Sequence, residues 1–64
     1  MKIGENIKKI RKKRGFSQDK LSKLADVTHT TLAKIESGKN DNPTVKTLLK
    51  ISKALNVGLD DLVC

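Results

Sequence analysis

The sequence contains very few of the residue types that support disulfides or aromatic stacking. It has one cysteine, one phenylalanine, no tyrosine and no tryptophan in 64 residues. Cys64 is the last residue, so a disulfide cannot form within the chain, which fits a reducing cytoplasm. Phe16 is needed in the core, so no aromatic platform is left on which the bases of single-stranded RNA could stack.

Long apolar runs are also absent. No run could cross a bilayer, and nothing near Met1 resembles a signal peptide. A chain of 64 residues suffices for one small domain, 1–64, whose apolar residues must nearly all serve one core. Little room remains for an enclosed pocket, so we expect no small-molecule ligand and no cofactor.

Residues that carry catalysis or bind metals are scarce and scattered. His29 has no partner at metal-ligand or nucleophile spacing, and Cys64 lies at a terminus. The sequence has no glycine-rich phosphate loop. Its one pair of neighbouring carboxylates, Asp60 and Asp61, suits the first turn of a helix. We therefore predict no enzymatic activity and no metal site.

Positive charge is abundant and unevenly placed. The formal net charge is +7, and the first fourteen residues hold a cluster of cations opposed only by Glu5: Lys2, Lys8, Lys9, Arg11, Lys12, Lys13 and Arg14. Such a cluster attracts nucleic acid or an acidic membrane surface, or it is a solvated helix face that keeps the protein soluble. Membrane binding would require Ile3, Ile7 and Ile10 to leave the core.

Apolar residues at helical spacing, with no alternation of the β type, predict an all-α fold of five helices. Ile3, Ile7 and Ile10 mark the first helix, which Gly15 ends near Arg14.

The second helix has a start signal and an apolar stripe. Ser17 can cap its first amides, and Phe16 can fold back on Leu21 as a hydrophobic staple. We expect Leu21, Leu24 and Ala25 to form its buried stripe.

The third helix follows a short turn at Asp26, a residue type that tolerates the left-handed conformation. Thr28 can cap the helix, Leu32 and Ile35 supply its inner face, and Gly38 ends it.

The fourth and fifth helices follow a polar loop. Thr44 can cap the fourth helix, and Asn56 is a plausible left-handed stop. Its predicted inward residues are Val45, Leu48, Leu49, Ile51 and Leu55. Residues 58–63 can form a short fifth helix.

Residues 17–36 fit a helix-turn-helix, in which two short helices cross where their residues are small. Ser22 lies where the third helix would cross the second. The third helix, at about 28–36, buries one face and leaves His29, Thr30, Ala33 and Lys34 outside.

A family resemblance rests on the run GFSQDKLSKLADVTHTTLAKIESGK, followed by a proline and then LLKISKALNV. This pattern resembles the Cro and phage-repressor type of helix-turn-helix domain, also called XRE-like, over residues 3–63. The motif elements are Gln18 opening helix two, Val27 and Leu32 in the corner, and IESGK at 35–39. The resemblance implies a compact five-helix, lambda-repressor-like domain that binds operator DNA, usually as a two-fold dimer.

The chain departs from the family pattern at two positions. Asp26 stands where the family usually has glycine, and Ser22 stands where alanine is commonest. We expect the first departure to lower stability, and the second adds a hydroxyl that needs a hydrogen-bond partner.

The resemblance also implies roles for individual residues. It places contacts to bases at His29, Thr30 and Lys34, with Thr28 near the edge of the groove; these side chains can bond base edges, and Thr30 can also contact a thymine methyl. The implied phosphate contacts are Gln18, Lys39, Asn40, Asn42 and Thr44. The two asparagines are also ordinary turn residues, and Asp41 should point away from DNA because it would repel phosphate.

Glu36 requires a compensating cation, because a carboxylate in the last turn of a helix meets the negative end of the helix dipole. The family pattern offers Arg11, so we predict a partly buried Arg11–Glu36 ion pair between the first and third helices.

An apolar cluster near the end of the chain has two interpretations. Val57, Leu59, Leu62 and Val63 lie in the region that the family uses for self-association, or they complete the monomer core. The first interpretation predicts a weak homodimer that forms fully on DNA.

The sequence thus favours a sequence-specific double-stranded DNA-binding regulator, of repressor type, on a pseudo-palindromic operator. The alternative is an antitoxin-like or accessory protein-interaction module that keeps the helix-turn-helix without DNA readout. The basic N-terminal region and the short polar face of the third helix argue against that alternative.

Overall fold

The computed structural model describes residues 3–63, which form five α-helices and no strand. The helices are α1 (Ile3–Lys13), α2 (Gln18–Ala25), α3 (His29–Ser37), α4 (Val45–Leu55) and α5 (Leu59–Val63). The predicted all-α, five-helix architecture is confirmed. Lys2 and Cys64 lie outside the described residues. Within them, no helix has the length and apolar character that a membrane span requires.

The helix ends follow the local signals in the sequence. Ser17, Thr28 and Thr44 are N-caps, and each side-chain oxygen accepts a hydrogen bond from the backbone amide three residues later, at 3.0, 3.1 and 3.2 Å. Asp26 and Asn56 end α2 and α4 in the left-handed conformation, with φ of 56° and 57°. Both are non-glycine residues of the types that reach this region at least cost.

One apolar core joins the helices, with α1 against α3 and α5, α2 against α3 and α4, and α4 against α5. Its buried members are Ile3, Ile7, Leu21, Ala25, Leu32, Ile35, Leu48, Ile51, Leu55 and Leu62. Phe16 and Ile10 are partly buried and pack against this core.

The expected buried stripe of α2 is wrong at Leu24, which is 50% exposed. An α-helix turns by about 100° per residue, and Leu24 falls about 60° outside the arc that holds Leu21, Ser22 and Ala25. Ser22 is buried instead, and its hydroxyl donates to the Asp19 carbonyl at 2.8 Å. The small serine lets α2 approach its neighbours, and its hydroxyl finds a partner within its own helix.

The expected inward face of α4 is wrong at Val45 and Leu49, which are 63% and 43% exposed. Val45 is the first residue of the helix, and Leu49 again falls about 60° outside the buried arc. Ser52 is buried on that arc, and its hydroxyl donates to the Leu49 carbonyl at 2.9 Å.

Gly4 sets how closely α1 approaches α3. A Cβ atom at this position would collide with the backbone carbonyl of Ile35 and approach the Cα of Glu36 within 3.1 Å. The first turn of α1 therefore rests on the last turns of α3, on the side of α3 that faces the core.

Candidate nucleic-acid interface

A three-residue turn, 26–28, joins α2 to α3. Asp26 is left-handed, and the amide of Val27 donates to the Ser22 carbonyl at 3.0 Å, which closes the end of α2. Val27 packs against the core, and Thr28 caps α3. The turn thus fixes the end of α2 to the beginning of α3.

The helix α3 has an inner face and an outer face. Leu32, Ile35 and Glu36 are buried, whereas His29, Thr30 and Lys34 are exposed. At about 100° per residue these three exposed residues span one arc on the opposite side of the helix. The structure therefore brings these three predicted base-contacting side chains onto one accessible surface, which we call the α3 outer face.

Thr28 is exposed beside this face, but its hydroxyl is already engaged. It accepts from the Thr31 amide at 3.1 Å and donates to the Thr31 hydroxyl at 2.8 Å. A hydroxyl has one hydrogen and two acceptor lone pairs, so one lone pair remains. Thr28 could contact a base or phosphate group only as an acceptor, or through its methyl group, without disturbing the cap.

The predicted phosphate-contacting residues of the loop lie between α3 and α4. Lys39, Asn42 and Thr44 are exposed, whereas Asn40 is half-buried. The Asn40 side-chain oxygen accepts from the Asn42 amide at 3.2 Å, and the Asn40 amide donates to the Lys34 carbonyl at 3.0 Å. Asn40 therefore shapes the loop and anchors it to the end of α3.

Two further loop residues have defined surroundings. The Thr44 hydroxyl caps α4, accepting from the Thr47 amide and donating to the Thr47 hydroxyl at 2.9 Å. Asp41 lines a groove with Gly4, Glu5 and the end of α3. Asp41 thus lies on the α1 side of the loop.

Arg11 and Glu36 form the predicted ion pair, and it is buried, with side-chain exposures of 8% and 2%. Arg11 Nε donates to Glu36 Oε2 at 2.8 Å, and Arg11 Nη2 donates to Oε1 at 3.1 Å. Arg11 Nη1 donates to the Phe16 carbonyl at 2.8 Å. The guanidinium therefore ties α1 to both α3 and the segment that leads into α2.

Gln18 has a partner that the sequence did not reveal. Its side-chain Nε2 donates to Glu36 Oε1 at 3.0 Å. The available signal was general: a buried carboxylate can accept several hydrogen bonds, and one bond from Arg11 to each oxygen leaves further acceptor capacity. Nothing in the spacing of residues identified Gln18 as the further donor. We call Arg11, Gln18 and Glu36 the Glu36 network.

The apolar cluster at the end of the chain is divided by the structure. Leu62 has no exposed surface and belongs to the core, so its side chain cannot supply area to a dimer interface. Val57, Leu59 and Val63 are partly buried and pack against the same core while keeping some exposed surface. Leu62 therefore fits the second interpretation, completion of the monomer core, through which α5 packs on α1 and α4.

In the part of the chain that the structure describes, no three His, Cys, Asp or Glu side chains are grouped so that they could hold a metal ion.

This arrangement, two helices held by a three-residue turn with the second helix exposing a polar face, defines the helix-turn-helix class. A helix-turn-helix family model matches residues 7–62. The chain belongs to the helix-turn-helix family.

Several curated relatives are named as regulators. The chain is 36% identical over 61 residues to the HTH-type transcriptional regulator SinR of Bacillus subtilis (strain 168), covering 95% of this chain and 55% of that protein. It is 40% identical over 60 residues to the HTH-type transcriptional regulator SlrR of the same organism, covering 94% of this chain and 40% of that protein. The chain thus spans about half the length of these relatives.

Solved structures share the fold over nearly the whole chain. The crystal structure of SinR, a master regulator for biofilm formation, in complex with DNA matches with a TM-score of 0.94 at 35% identity, covering 97% of this chain and 98% of that chain. The restriction-modification controller protein C.AhdI from Aeromonas hydrophila matches with a TM-score of 0.90 at 26% identity, covering 95% and 91%.

Proposed function

We propose that this chain is the sequence-specific, double-stranded DNA-binding domain of a transcriptional regulator, with α3 inserted in the major groove. The observation that carries the proposal is the α3 outer face, where His29, Thr30 and Lys34 are exposed on a helix whose other side is anchored in the core. Two relatives named as transcriptional regulators, and the SinR structure solved with DNA, support it.

The α3 outer face has the chemistry for reading bases. Lys34 can donate to the acceptors of guanine, and a neutral His29 offers one donor and one acceptor. Thr30 can bond a base or place its methyl group against a thymine methyl. Thr28, with its hydroxyl committed to the cap, serves at the edge of the groove.

Phosphate contacts supply much of the affinity and position the domain on the duplex. We assign them to Gln18 at the start of α2 and to Lys39, Asn40, Asn42 and Thr44 in and after the loop. The donors available for phosphate in this set are the Lys39 ammonium group, the second amide hydrogen of Gln18 and the side-chain amides of the two asparagines. The Thr44 hydroxyl can only accept a further hydrogen bond, so it cannot donate to a phosphate oxygen. At this position the phosphate contact would come from the backbone amides at the start of α4.

We infer that the domain binds a pseudo-palindromic operator as a weak homodimer and acts as a repressor. With Leu62 committed to the core, Val57, Leu59 and Val63 are the remaining apolar residues of the predicted interface. The named relatives in Bacillus are bacterial regulators, so we place the protein in the cytoplasm, where bacterial DNA lies. Its proposed role is binding rather than catalysis.

Duplex binding at increasing salt is the direct test. A site selected from random duplexes and a random control are each titrated between 50 and 200 mM salt, where a dimer making about 6–10 phosphate contacts loses roughly a thousandfold or more in affinity. His29→Ala should relax preference at particular base pairs, whereas Lys39→Ala should weaken binding to all duplexes alike. Lys53→Ala, on an exposed position of α4, is the matched control for loss of a positive charge.

The outcomes separate the candidate functions. Equal affinity for every duplex would remove sequence-specific readout from the proposal. No binding to any duplex at the lowest salt would favour the protein-interaction module, for which exposed Leu24, Val45 and Leu49 offer apolar surface.

A further inference from the structure

The bond between Gln18 and Glu36 lies at an informative place in the fold. The turn at 26–28 joins the C-terminal end of α2 to the N-terminal end of α3. Gln18 is the first residue of α2, and Glu36 lies in the last turn of α3. The two helices are therefore connected by the chain at one end and by this hydrogen bond at the other.

Two helices that are connected at two points are more constrained than two helices that are connected at one point. The turn and the core contacts of Leu21 and Ala25 hold the middle and the C-terminal end of α2. The Gln18–Glu36 bond adds a direct restraint at the N-terminal end of α2, and Glu36 itself is held by two bonds from Arg11. The start of α2 is thus held relative to a buried group of α3 that does not move freely.

The side-chain amide of Gln18 can bond Glu36 and still offer a second hydrogen at the surface. A carboxylate can only accept hydrogen bonds, so the amide nitrogen of Gln18 must face Glu36. That nitrogen carries two hydrogens, and Glu36 takes one of them. Gln18 is half-buried, so its side chain spans from the buried Glu36 to the surface at the start of α2.

We propose that Gln18 is a positioning residue, which couples the start of α2 to the orientation of α3 through Glu36. This inference rests on the proposed function, because the orientation of α3 matters for base readout. A DNA backbone held at the start of α2 then fixes the angle at which His29, Thr30 and Lys34 meet the bases. Gln18 thereby contributes to specificity without contacting a base.

This role differs from a plain phosphate contact in what it does to specificity. Losing a phosphate contact weakens binding to all duplexes by a similar factor. Losing folded protein also lowers both affinities equally and leaves their ratio unchanged. Losing the orientation of α3 damages only the contacts that depend on sequence, so it lowers the ratio of specific to random binding.

The test compares the native chain with Gln18→Met, which keeps the side-chain length and removes the amide. Fluorescence anisotropy gives the affinity of each protein for the selected site and for a random duplex at one salt concentration. The ratio of the two affinities should fall by roughly 5- to 10-fold, close to the smallest penalty of one mismatched base pair. Lys39→Met, which removes a predicted phosphate contact, is the control and should leave the ratio within about twofold of the native value.

A second background shows whether Gln18 acts through Glu36. In the chain that carries both Arg11→Met and Glu36→Met, no side-chain oxygen at position 36 can accept from Gln18, so adding Gln18→Met should change the ratio little. An unchanged ratio for Gln18→Met in the native background would overturn the positioning role while leaving DNA binding intact. If Gln18→Met lowered the ratio as much in the double-variant background as in the native chain, the positioning role would also be overturned. Failure of the native chain to bind any duplex would instead refute the proposed function.

Discussion

Removing Arg11 should destabilise the domain strongly, because its guanidinium is buried against Glu36. In Arg11→Met, the apolar stem is kept and the guanidinium is lost. Glu36, whose side chain is 2% exposed, then keeps only the Gln18 amide as a partner for a full negative charge. The Phe16 carbonyl loses its donor as well. Breaking a buried pair in this way costs roughly 3–5 kcal/mol.

That cost is large against the stability of so small a domain. At about 0.05–0.15 kcal/mol per residue, 64 residues give a total of roughly 3–10 kcal/mol. Arg11→Met should therefore remove between a third of the stability and all of it. Glu36→Gln should cost a similar amount, because it leaves a buried guanidinium with one neutral acceptor in place of two charged oxygens.

The double variant should recover much of the loss, since both charges are gone together. The structural reason is that a neutral buried group needs fewer partners than an unpaired ion. Urea unfolding of the native chain, the two single variants and the double variant, followed by far-ultraviolet circular dichroism, gives the coupling free energy. All four samples contain the same concentration of sucrose, which favours the folded state of the weakest variants. We expect at least about 2 kcal/mol, well above the roughly 0.5 kcal/mol within which independent sites add. Additivity within that margin would refute the reasoning.

Four further substitutions test packing and backbone conformation. Gly4→Ala should destabilise the domain by about 1–3 kcal/mol, because its Cβ would collide with the Ile35 carbonyl and push α1 from α3. Asp26→Gly should stabilise it by about 0.5–1 kcal/mol, because φ of 56° strains a residue with a Cβ. Leu24→Ala should cost under about 1 kcal/mol at a half-exposed site, whereas Leu21→Ala should cost about 2–5 kcal/mol in the core. Urea midpoints measure all four.

Each of these changes has its own control and its own contrary result. Lys8→Ala, on an exposed position of α1, is the control for an alanine substitution in this helix away from α3. If Gly4→Ala were as stable as the native chain, α1 would not rest on the α3 backbone. A loss of stability in Asp26→Gly would show that the aspartate side chain contributes more than its strained backbone costs. Equal losses for Leu24 and Leu21 would contradict their different burial.

The sequence predicted the helices well because their signals are local. Each N-cap hydroxyl reaches an amide three residues away, and each left-handed stop depends on one residue and its immediate neighbours. The α3 outer face was equally predictable. Leu32 and Ile35 anchor one side of a nine-residue helix, so helical geometry alone leaves His29, Thr30 and Lys34 on the other.

Predictions about which residues of a helix are buried failed where burial depended on the neighbouring helices. The apolar spacing of α2 and α4 allowed Leu24 and Leu49 to be either buried or exposed. Ser22 and Ser52 took the buried places because small residues let the helices approach and because their hydroxyls bond within their own helices. Such a choice is made by packing among helices, which a residue's own helix does not specify.

What the sequence by itself determined is the set of helices, the turn between the second and third, and the polar side of α3. The tertiary structure alone decided which apolar residues are exposed, that Leu62 is enclosed by its own monomer, and that Gln18 bonds to Glu36. The physical reason is separation along the chain. Glu36 bonds to Gln18, which is 18 positions away along the chain, and to Arg11, which is 25 positions away. No local rule of conformation reaches that far.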